Sequence, residues 1–296
     1  MHNHSHHHSV AEKGIKIAFF LNLGFAIVEI IGGTWINSYA IIADAVHDLG
    51  DSLMIGFAWG MQYLAKKESD NKFTFGYKRF SLLGALFNSL LLIVGSVLII
   101  YYAIPRFFEP LSVHAEGMFV FALIGILING FAVVQMKKGN DSLNERVVTL
   151  HLMEDVLGWV AVLLGSVLIY FFRWYWVDVA LSLIIAVYVI YNASLNLKET
   201  ILILLQENPI QFDVLKITEE LKSKNKEILS VHDIHAWSLD GEHHVMSIHI
   251  VVSDSVLFST LELLKKSVRG ILKQKGIGHV TIEFETISET CQSRCD

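Results

Sequence analysis

Two histidine and aspartate pairs with the same spacing lie in the apolar part of the sequence. His47 is followed by Asp51, and His151 is followed by Asp155, in each case four residues later. On an α-helix, residues at this spacing share one face, so each pair would direct an imidazole and a carboxylate to the same side. Two nitrogen and two oxygen ligands suit a tetrahedral first-row divalent cation, with zinc as the leading candidate. The four side chains are therefore predicted to form one metal site between two helices.

A purely structural role is the main alternative for these pairs, because polar side chains can also hydrogen-bond between membrane helices. Burying a carboxylate in hydrocarbon costs at least about 2.5 kcal/mol on insertion scales, and a bound cation would offset that cost. Asp44 shares the helix face of His47 and Asp51. Spacing alone leaves two roles open for Asp44, which are an acceptor that orients an imidazole and an ordinary polar contact between helices.

The pairs belong to a chain with the composition of an integral membrane protein. Its 296 residues are 53% hydrophobic and 18% charged, and the mean hydropathy is +0.49. A helix of about 20 apolar residues can cross a bilayer. We therefore predict an α-helical membrane domain over residues 14–197. Its six transmembrane helices are expected near Gly14–Ile36, Tyr39–Ala65, Phe80–Ile104, Gly117–Met136, Val147–Phe172 and Trp174–Leu197.

The loops between these helices predict the orientation of the chain. Eight lysines and arginines lie in the loops after the second and fourth helices, against two in the loops on the opposite side. The positive-inside rule therefore places both termini in the cytoplasm. No pattern of a cleavable signal peptide precedes the first helix.

A change in composition after Leu197 indicates a cytosolic C-terminal domain. Residues 198–211 are predicted to be a linker, because an asparagine and a proline near its end are typical of a helix stop. Residues 212–286 show the order helix, strand, strand, helix, strand, and Asp240-Gly241 is typical of a type I′ hairpin turn between the first two strands. This αββαβ order is typical of a ferredoxin-like domain.

Three runs of residues carry a resemblance to a known family: IADAVHDLGD at residues 42–51, HLMED at residues 151–155 and VHDIHAWS at residues 231–238. With these motifs the chain resembles the cation diffusion facilitators, in their zinc-transporter branch, over nearly its whole length. The resemblance implies a homodimer that exports zinc from the cytoplasm in exchange for protons by alternating access. It also implies a bacterial inner membrane, with cadmium and cobalt as plausible secondary substrates.

The same resemblance implies cytosolic metal ligands at His232, His249, His279 and Glu285. Zinc would then be a regulatory ligand as well as the substrate. Strand alternation places His249 opposite Met246 and Ile248, and therefore away from the apolar layer.

Two positions in and after the loop that follows the second helix depart from the family pattern. Phe73 stands where many bacterial members have a histidine, so we do not expect a loop metal site. Ser81 stands where a glutamate is frequent, so any ion-pair lock that other members form there would be rearranged.

Both tails contain residues that can bind soft metals. The N-terminal tail, residues 1–13, is either a native low-affinity metal collector or an engineered tag. The C-terminal tail, residues 287–296, has two cysteines that either coordinate metal as thiolates or remain idle reduced thiols, and some family members have a closer pair. The residues concerned are His2, His4, His6, His7, His8, Cys291 and Cys295.

The ligand chemistry favours transport over the other functions we considered. Imidazole and carboxylate must lose protons to bind metal, so metal and proton movements are linked. The sequence lacks the H-E-x-x-H motif of a zinc protease and nothing in it indicates an organic cofactor or nucleic-acid binding. The alternative is a membrane metal sensor whose cytosolic domain reports zinc occupancy without transport.

Overall fold

The structure is a computed structural model that describes residues 5–65, 69–136, 143–209 and 212–288. Within these ranges, six long helices precede a small mixed α and β domain. The helices are α1 Ser5–Ile36, α2 Tyr39–Ala65, α3 Phe80–Phe108, α4 Ala115–Met136, α5 Leu143–Phe172 and α6 Trp176–Leu204. The predicted helical membrane domain with a C-terminal domain containing a small sheet is confirmed.

The apolar character of the helices agrees with a membrane setting. Among the described residues, four segments are long and apolar enough to cross a bilayer, and the apolar segment of α4 is shorter. The apolar sequence of α2 contains acidic side chains. Large apolar side chains cover the outside of the helices, as lipid contact requires, and Trp35, for example, is 85% exposed. The four segments are Phe19–Ile36, Phe80–Phe108, Met153–Phe172 and Trp176–Leu204.

Two of the helices extend further than the sequence predicts. α1 begins at Ser5, inside the predicted tail, and α6 continues to Leu204, so the first half of the predicted linker is helical. α6 ends where Gln206 adopts a left-handed φ of 63°. Its N–H donates to the carbonyl of Ile203, and the next N–H, that of Glu207, donates to Leu202. This pair of bonds satisfies the last carbonyls of the helix and terminates it.

The helices of the membrane domain pack closely where small residues or buried polar groups allow it. α1 packs against α2, and α4 packs against α5. Asp178, fully buried in the first turn of α6, accepts hydrogen bonds from the Ser38 hydroxyl and from the N–H groups of Tyr39 and Ala40. These bonds satisfy the otherwise unpaired donors at the start of α2. The first turn of α2, the helix that carries His47, is therefore tied to α6.

The chain divides into two compact units. One contains Met1–Lys66 and Gly84–Leu197, and the other contains Lys67–Leu83 together with Lys198–Asp296. In the second unit the order is α7 Val214–Lys224, β1 Ser230–Ser238, β2 His244–Val252, α8 Phe258–Gln274 and β3 Ile277–Thr286. The sheet order is β1-β2-β3, with β1 antiparallel and β3 parallel to β2. The element order is the predicted αββαβ.

One face of this sheet carries the core of the second unit. Met246, Ile248 and Ile250 alternate along β2 and are fully buried. α7 and α8 supply the opposing apolar side chains, among them Leu221 and Leu272. The other face of β2 is only partly covered, so it can hold polar side chains.

The prediction of a type I′ turn at Asp240-Gly241 is wrong. β1 ends at Ser238 and β2 begins at His244, so the connection is longer than two residues. Gly241 has a φ of 95°, but Asp240 is not among the described residues with positive φ, as type I′ would require. The Asp240 carboxylate instead accepts from the N–H groups of Glu242 and His243, which holds the chain in a wider turn.

Candidate metal sites

α2 and α5 bring three of the four predicted transmembrane ligands together. Nε2 of His47 lies 3.7 Å from Oδ2 of Asp51 and 3.8 Å from Oδ1 of Asp155. Ligand atoms about 2.0–2.2 Å from a tetrahedral zinc ion are about 3.3–3.6 Å apart. Both distances from Nε2 of His47 are therefore within a few tenths of an ångström of the spacing that two ligands of one ion would require.

The fourth predicted ligand, His151, lies one turn before Asp155 in α5. Its side chain is outside the described part of the chain, so its position in the site stays a prediction. The side chains of His47, Asp51 and Asp155 are 23%, 26% and 15% exposed. Each of the three side chains is therefore partly exposed. An ion that enters and leaves the site requires such access.

Asp44 lies in a group of carboxylates that the sequence analysis did not recognise. Carboxylate oxygens of Glu29, Asp44 and Asp48 lie within 4.8 Å of one another. Asp44 also faces α5, because its Oδ1 is 4.0 Å from the position that a Cβ would take at Gly158. Glu29 could have been noticed as the acidic residue within the apolar part of α1, since ionisable residues in a membrane span are usually functional.

The partly covered face of the sheet carries a second cluster, in which three of the four predicted cytosolic ligands meet. His232, His249 and Glu285 each offer a ligand atom within 4.8 Å of the others. Nδ1 of His249 is hydrogen-bonded to Glu285 at 2.6 Å. Nε2 of His232 lies 3.1 Å from the other Glu285 oxygen without the geometry of a hydrogen bond. Two imidazoles around one carboxylate form a ligand set that suits zinc.

Two further carboxylates surround this cluster, and the sequence analysis did not propose either as a ligand. Nε2 of His249 lies 3.3 Å from Asp233 and 3.3 Å from Glu283. Asp233 reaches the cluster through an irregularity in β1, where the pairing register shifts between His232 and His235. Asp233 has a φ of 46°, which is uncommon for a residue with a side chain. A bulge of this kind re-aims side chains that regular alternation would separate.

The structure places His279 away from the cluster. His279 pairs with Val245, at the other end of β2 from the pairs around His249. Its ring is exposed and packs edge-on against Phe75, with the ring centroids 5.4 Å apart. The implied ligand role of His279 is therefore not supported by its position in this structure.

The loop after α2 uses its polar groups to hold its own shape. Asp70 accepts hydrogen bonds from the N–H groups of Lys72 and Phe73 and from the Tyr77 hydroxyl. Phe73 packs against Tyr77 with the ring centroids 4.7 Å apart. At the start of α3, the Ser81 hydroxyl donates to the carbonyl of Lys78. Phe73 is therefore a packing residue in this loop.

The predicted tail ligands lie outside the described part of the chain. Residues 1–4 and 289–296 are not described, and of residues 5–18 only the helical backbone is described. The metal-binding roles suggested for the terminal residues stay predictions. These residues are His2, His4, His6, His7, His8, Cys291 and Cys295.

Comparison with known proteins agrees with this arrangement of a membrane domain and a cytosolic domain. The cation efflux transmembrane domain matches residues 15–205, and the cation efflux protein cytoplasmic domain matches residues 209–287. The two matches together cover most of the chain.

Full-length relatives show the same similarity. A cadmium, cobalt and zinc/H(+)-K(+) antiporter of Bacillus velezensis is 36% identical over 304 aligned positions, which cover 100% of this chain and 97% of the relative. The antiporter of the same name from Bacillus subtilis is 37% identical, with coverage of 96% and 92%. The zinc transporter ZitB of Pectobacterium atrosepticum is 32% identical, with coverage of 100% and 90%. The chain belongs to the cation efflux family, also known as the cation diffusion facilitators.

Proposed function

We propose that this protein is a secondary transporter that exports zinc from the cytoplasm in exchange for protons by alternating access. The observation that carries the proposal is the convergence of His47, Asp51 and Asp155 from two helices of the membrane domain. The relatives that match the whole chain are named as antiporters and zinc transporters, and none of the names given above is that of an enzyme. His151 completes the proposed ligand set.

The ligands themselves account for the exchange of zinc and protons. A free histidine titrates near pH 6.5, and both imidazole and carboxylate release protons when they bind metal. Zinc entering from the cytoplasm would displace protons from the site, and protons arriving from the other side would displace zinc. Moving two positive charges outward against an inside-negative potential costs about 2.3 kcal/mol per charge per 100 mV. Inward movement of two protons would cancel that electrical cost.

The names of the relatives extend the range of ions that this proposal covers. Cadmium and cobalt are plausible further substrates, and potassium is a plausible counter-ion besides protons. A site with two nitrogen and two oxygen ligands favours zinc, because geometry and ligand type discriminate among first-row metals more than raw affinity does. Zinc is therefore the proposed main substrate.

The proposal includes an assembly and a location. The protein would be a homodimer in a bacterial inner membrane, with both termini in the cytoplasm, as the distribution of lysine and arginine favours. The cytosolic cluster of His232, His249 and Glu285 would bind zinc as a regulatory ligand. A sensor without transport is the less favoured alternative, because the relatives named as transporters match the whole chain and not the cytosolic domain alone.

Zinc-driven proton flux in sealed proteoliposomes tests the proposal. With the purified chain incorporated, a zinc gradient should produce both zinc uptake and a proton counterflow, read by a zinc-sensitive and a pH-sensitive dye. His47→Ala and Asp155→Ala should each abolish both signals. Glu109→Gln, which changes an exposed carboxylate beyond the end of α3, is the matched control and should retain them.

Two results would contradict the proposal in different ways. Near-normal proton flux in His47→Ala or Asp155→Ala would remove these residues from the mechanism. Absence of both zinc uptake and proton counterflow in the unmodified protein would favour the sensor.

A further inference from the structure

The group of carboxylates between α1 and α2, formed by Glu29, Asp44 and Asp48, is not part of the proposed zinc ligand set. Glu29 lies on α1, and the two aspartates lie one turn apart on α2. One oxygen of each residue lies within 4.8 Å of an oxygen of the other two. Glu29 is 0% exposed and Asp48 is 8% exposed. Asp44 is half-buried, so two of the three carboxylates are buried at the contact between the two helices.

Glu29 is the member of the group whose position most needs an explanation. Both of its carboxylate oxygens are buried and receive no hydrogen bond from any donor group in the described part of the chain. The ionised form of a buried carboxylate carries a large desolvation cost, and native proteins keep such groups only when a proton, a partner or a bound ligand compensates the charge. Residues 19–36 of α1 and the whole of α2 contain no lysine or arginine. These two segments therefore supply no permanently charged cation that could compensate Glu29.

The geometry points to a bound cation as the compensating charge. Ligand oxygens lie about 2.0–2.1 Å from magnesium and about 2.3–2.6 Å from calcium, so two opposed ligands of such ions are about 4–5 Å apart. The three oxygens lie within 4.8 Å of one another, so no two of them are farther apart than two ligands of one such ion can be. One ion could therefore contact all three side chains without a change in the backbone.

The chemistry of the ligands indicates which class of cation would bind. The proposed zinc site combines imidazole nitrogens with carboxylate oxygens, whereas the carboxylate group offers oxygen alone. Oxygen-only sets favour hard cations such as magnesium, calcium and manganese, and imidazole favours zinc. We propose that Glu29, Asp44 and Asp48 form a second cation site, which binds a hard divalent cation and is distinct from the zinc site of His47, Asp51, His151 and Asp155.

The two sites share α2, and this makes their occupancies interdependent. Asp48 is the residue after His47, and Asp44 is one turn before it. Two divalent cations bound this close together repel each other in a medium of low dielectric constant. Zinc in its site should therefore weaken binding of the hard cation, and by linkage the hard cation should weaken binding of zinc by the same factor.

Binding of Mn²⁺, measured by electron paramagnetic resonance on the full-length protein in detergent, tests this proposal. The protein should carry His47→Ala and His249→Ala, which remove an imidazole from the proposed zinc site and from the cytosolic cluster. This double variant should bind one Mn²⁺ per chain. Removing a residue that only hydrogen-bonds to a metal ligand already lowers metal affinity by about 10- to 100-fold. Loss of a ligand oxygen through Glu29→Gln or Asp44→Asn should therefore weaken Mn²⁺ binding by at least about tenfold.

Glu116→Gln is the matched control, because Glu116 is an exposed carboxylate in the first turn of α4 and should leave Mn²⁺ binding unchanged. Helical circular dichroism and a single elution peak would show that each variant is folded. Absence of a bound Mn²⁺ in the double variant, or equal affinity after Glu29→Gln, would overturn the proposal and would mean that protons alone neutralise the group.

Anomalous scattering at the manganese edge gives a second test that requires no variant. Crystals of the unmodified protein soaked in Mn²⁺ should show a peak within about 2.5 Å of a Glu29 oxygen. A map with no peak between Glu29 and Asp48 would overturn the proposal. Neither measurement depends on transport, so failure here leaves the zinc and proton exchange to be judged by the flux experiment.

Discussion

Nε2 of His47 lies 3.8 Å from Oδ1 of Asp155, although the first residue belongs to α2 and the second to α5. Spacing along one helix explains why His47 meets Asp51, but it cannot bring His47 to Asp155. That contact exists only because α2 and α5 are neighbours in the folded membrane domain. A cation held by both residues would therefore bridge the two helices, and its arrival or departure would act on their packing.

The chemical nature of the ligand at position 47 should determine which metal the proposed transport site prefers. His47→Asp replaces an imidazole by a carboxylate and makes the site more accommodating to larger ions. We expect the ratio of zinc to cadmium transport rates in proteoliposomes to fall by about tenfold, which corresponds to about 1.4 kcal/mol. His114→Asp, the same substitution at an exposed histidine before α4, should leave the ratio unchanged. A ratio that is unaltered in His47→Asp would show that His47 does not determine selectivity.

The cytosolic cluster should lose its zinc when its central histidine is removed. His249 contacts Glu285 and Asp233, so His249→Ala should reduce the number of zinc ions bound to the full-length protein, counted by atomic absorption after dialysis. Asp233→Asn should weaken zinc binding by about tenfold or more, since even residues that only hydrogen-bond to a metal ligand contribute that much to metal affinity. His279→Ala is the control, because His279 lies at the other end of β2. Loss of zinc in His279→Ala but not in His249→Ala would refute this assignment.

Much of the architecture follows from the sequence, because hydrophobic length and periodicity are local properties. The apolar stretches predict the membrane helices, and the alternation of Met246 and Ile248 with polar residues predicts which face of β2 His249 occupies. Alternation predicts which face of a strand a residue occupies, but it does not predict which residues of the adjacent strand lie beside it. Only the register of β2 with β3 shows that His279 is distant from His249 while Glu285 is near.

The features that the sequence analysis missed depend on contacts between distant elements or on irregular backbone. Asp233 joins the cytosolic cluster because a register shift in β1 overrides regular alternation. Glu29 joins Asp44 and Asp48 because α1 packs against α2, a pairing that helical periodicity alone does not specify. The turn at Asp240 differs from the expected type because its carboxylate binds two backbone N–H groups.

Burial of His244 should make the stability of the cytosolic unit depend on pH. His244 is buried at the start of β2 and packs edge-on against Phe212 at 4.9 Å, and burial lowers the pKa of its imidazole. The unfolded chain has a histidine pKa near 6.5, so below that pH it takes up a proton more readily than the folded chain does. Neutral His244 therefore contributes fully to the free energy of unfolding above about pH 6.5, and this contribution is lost as the pH falls below that value.

Amide hydrogen exchange of β2 in the full-length protein, corrected for intrinsic rates, measures this effect. Protection in the unmodified chain should decrease between pH 7.5 and pH 5.5, and His244→Leu should reduce that decrease. His243→Leu changes an exposed neighbour that is paired with Asp240 and should leave the decrease in place. If His244→Leu showed the same pH dependence of protection as the unmodified chain, groups other than His244 would be its cause.

Close contact between α4 and α5 depends on a glycine at position 125. A Cβ added at Gly125 would lie 2.2 Å from the ring of Trp159, which is 1% exposed and packs against Phe25 with a centroid distance of 6.1 Å. Because the indole is almost fully buried, Gly125→Ala should separate the helices. Overpacking of this kind costs about 1–3 kcal/mol.

Gly130→Ala provides the matched comparison on the same helix, because a Cβ there would meet no atom of the described residues within 4 Å. Alanine is also favoured over glycine in a helix by about 1 kcal/mol. Thermal unfolding in detergent should therefore show a lower midpoint for Gly125→Ala and an unchanged or higher one for Gly130→Ala. Since α5 carries Asp155, Gly125→Ala should also reduce zinc transport, whereas Gly130→Ala should not. Equal midpoints for the two variants would show that Trp159 can move aside and that the contact does not fix the position of α5.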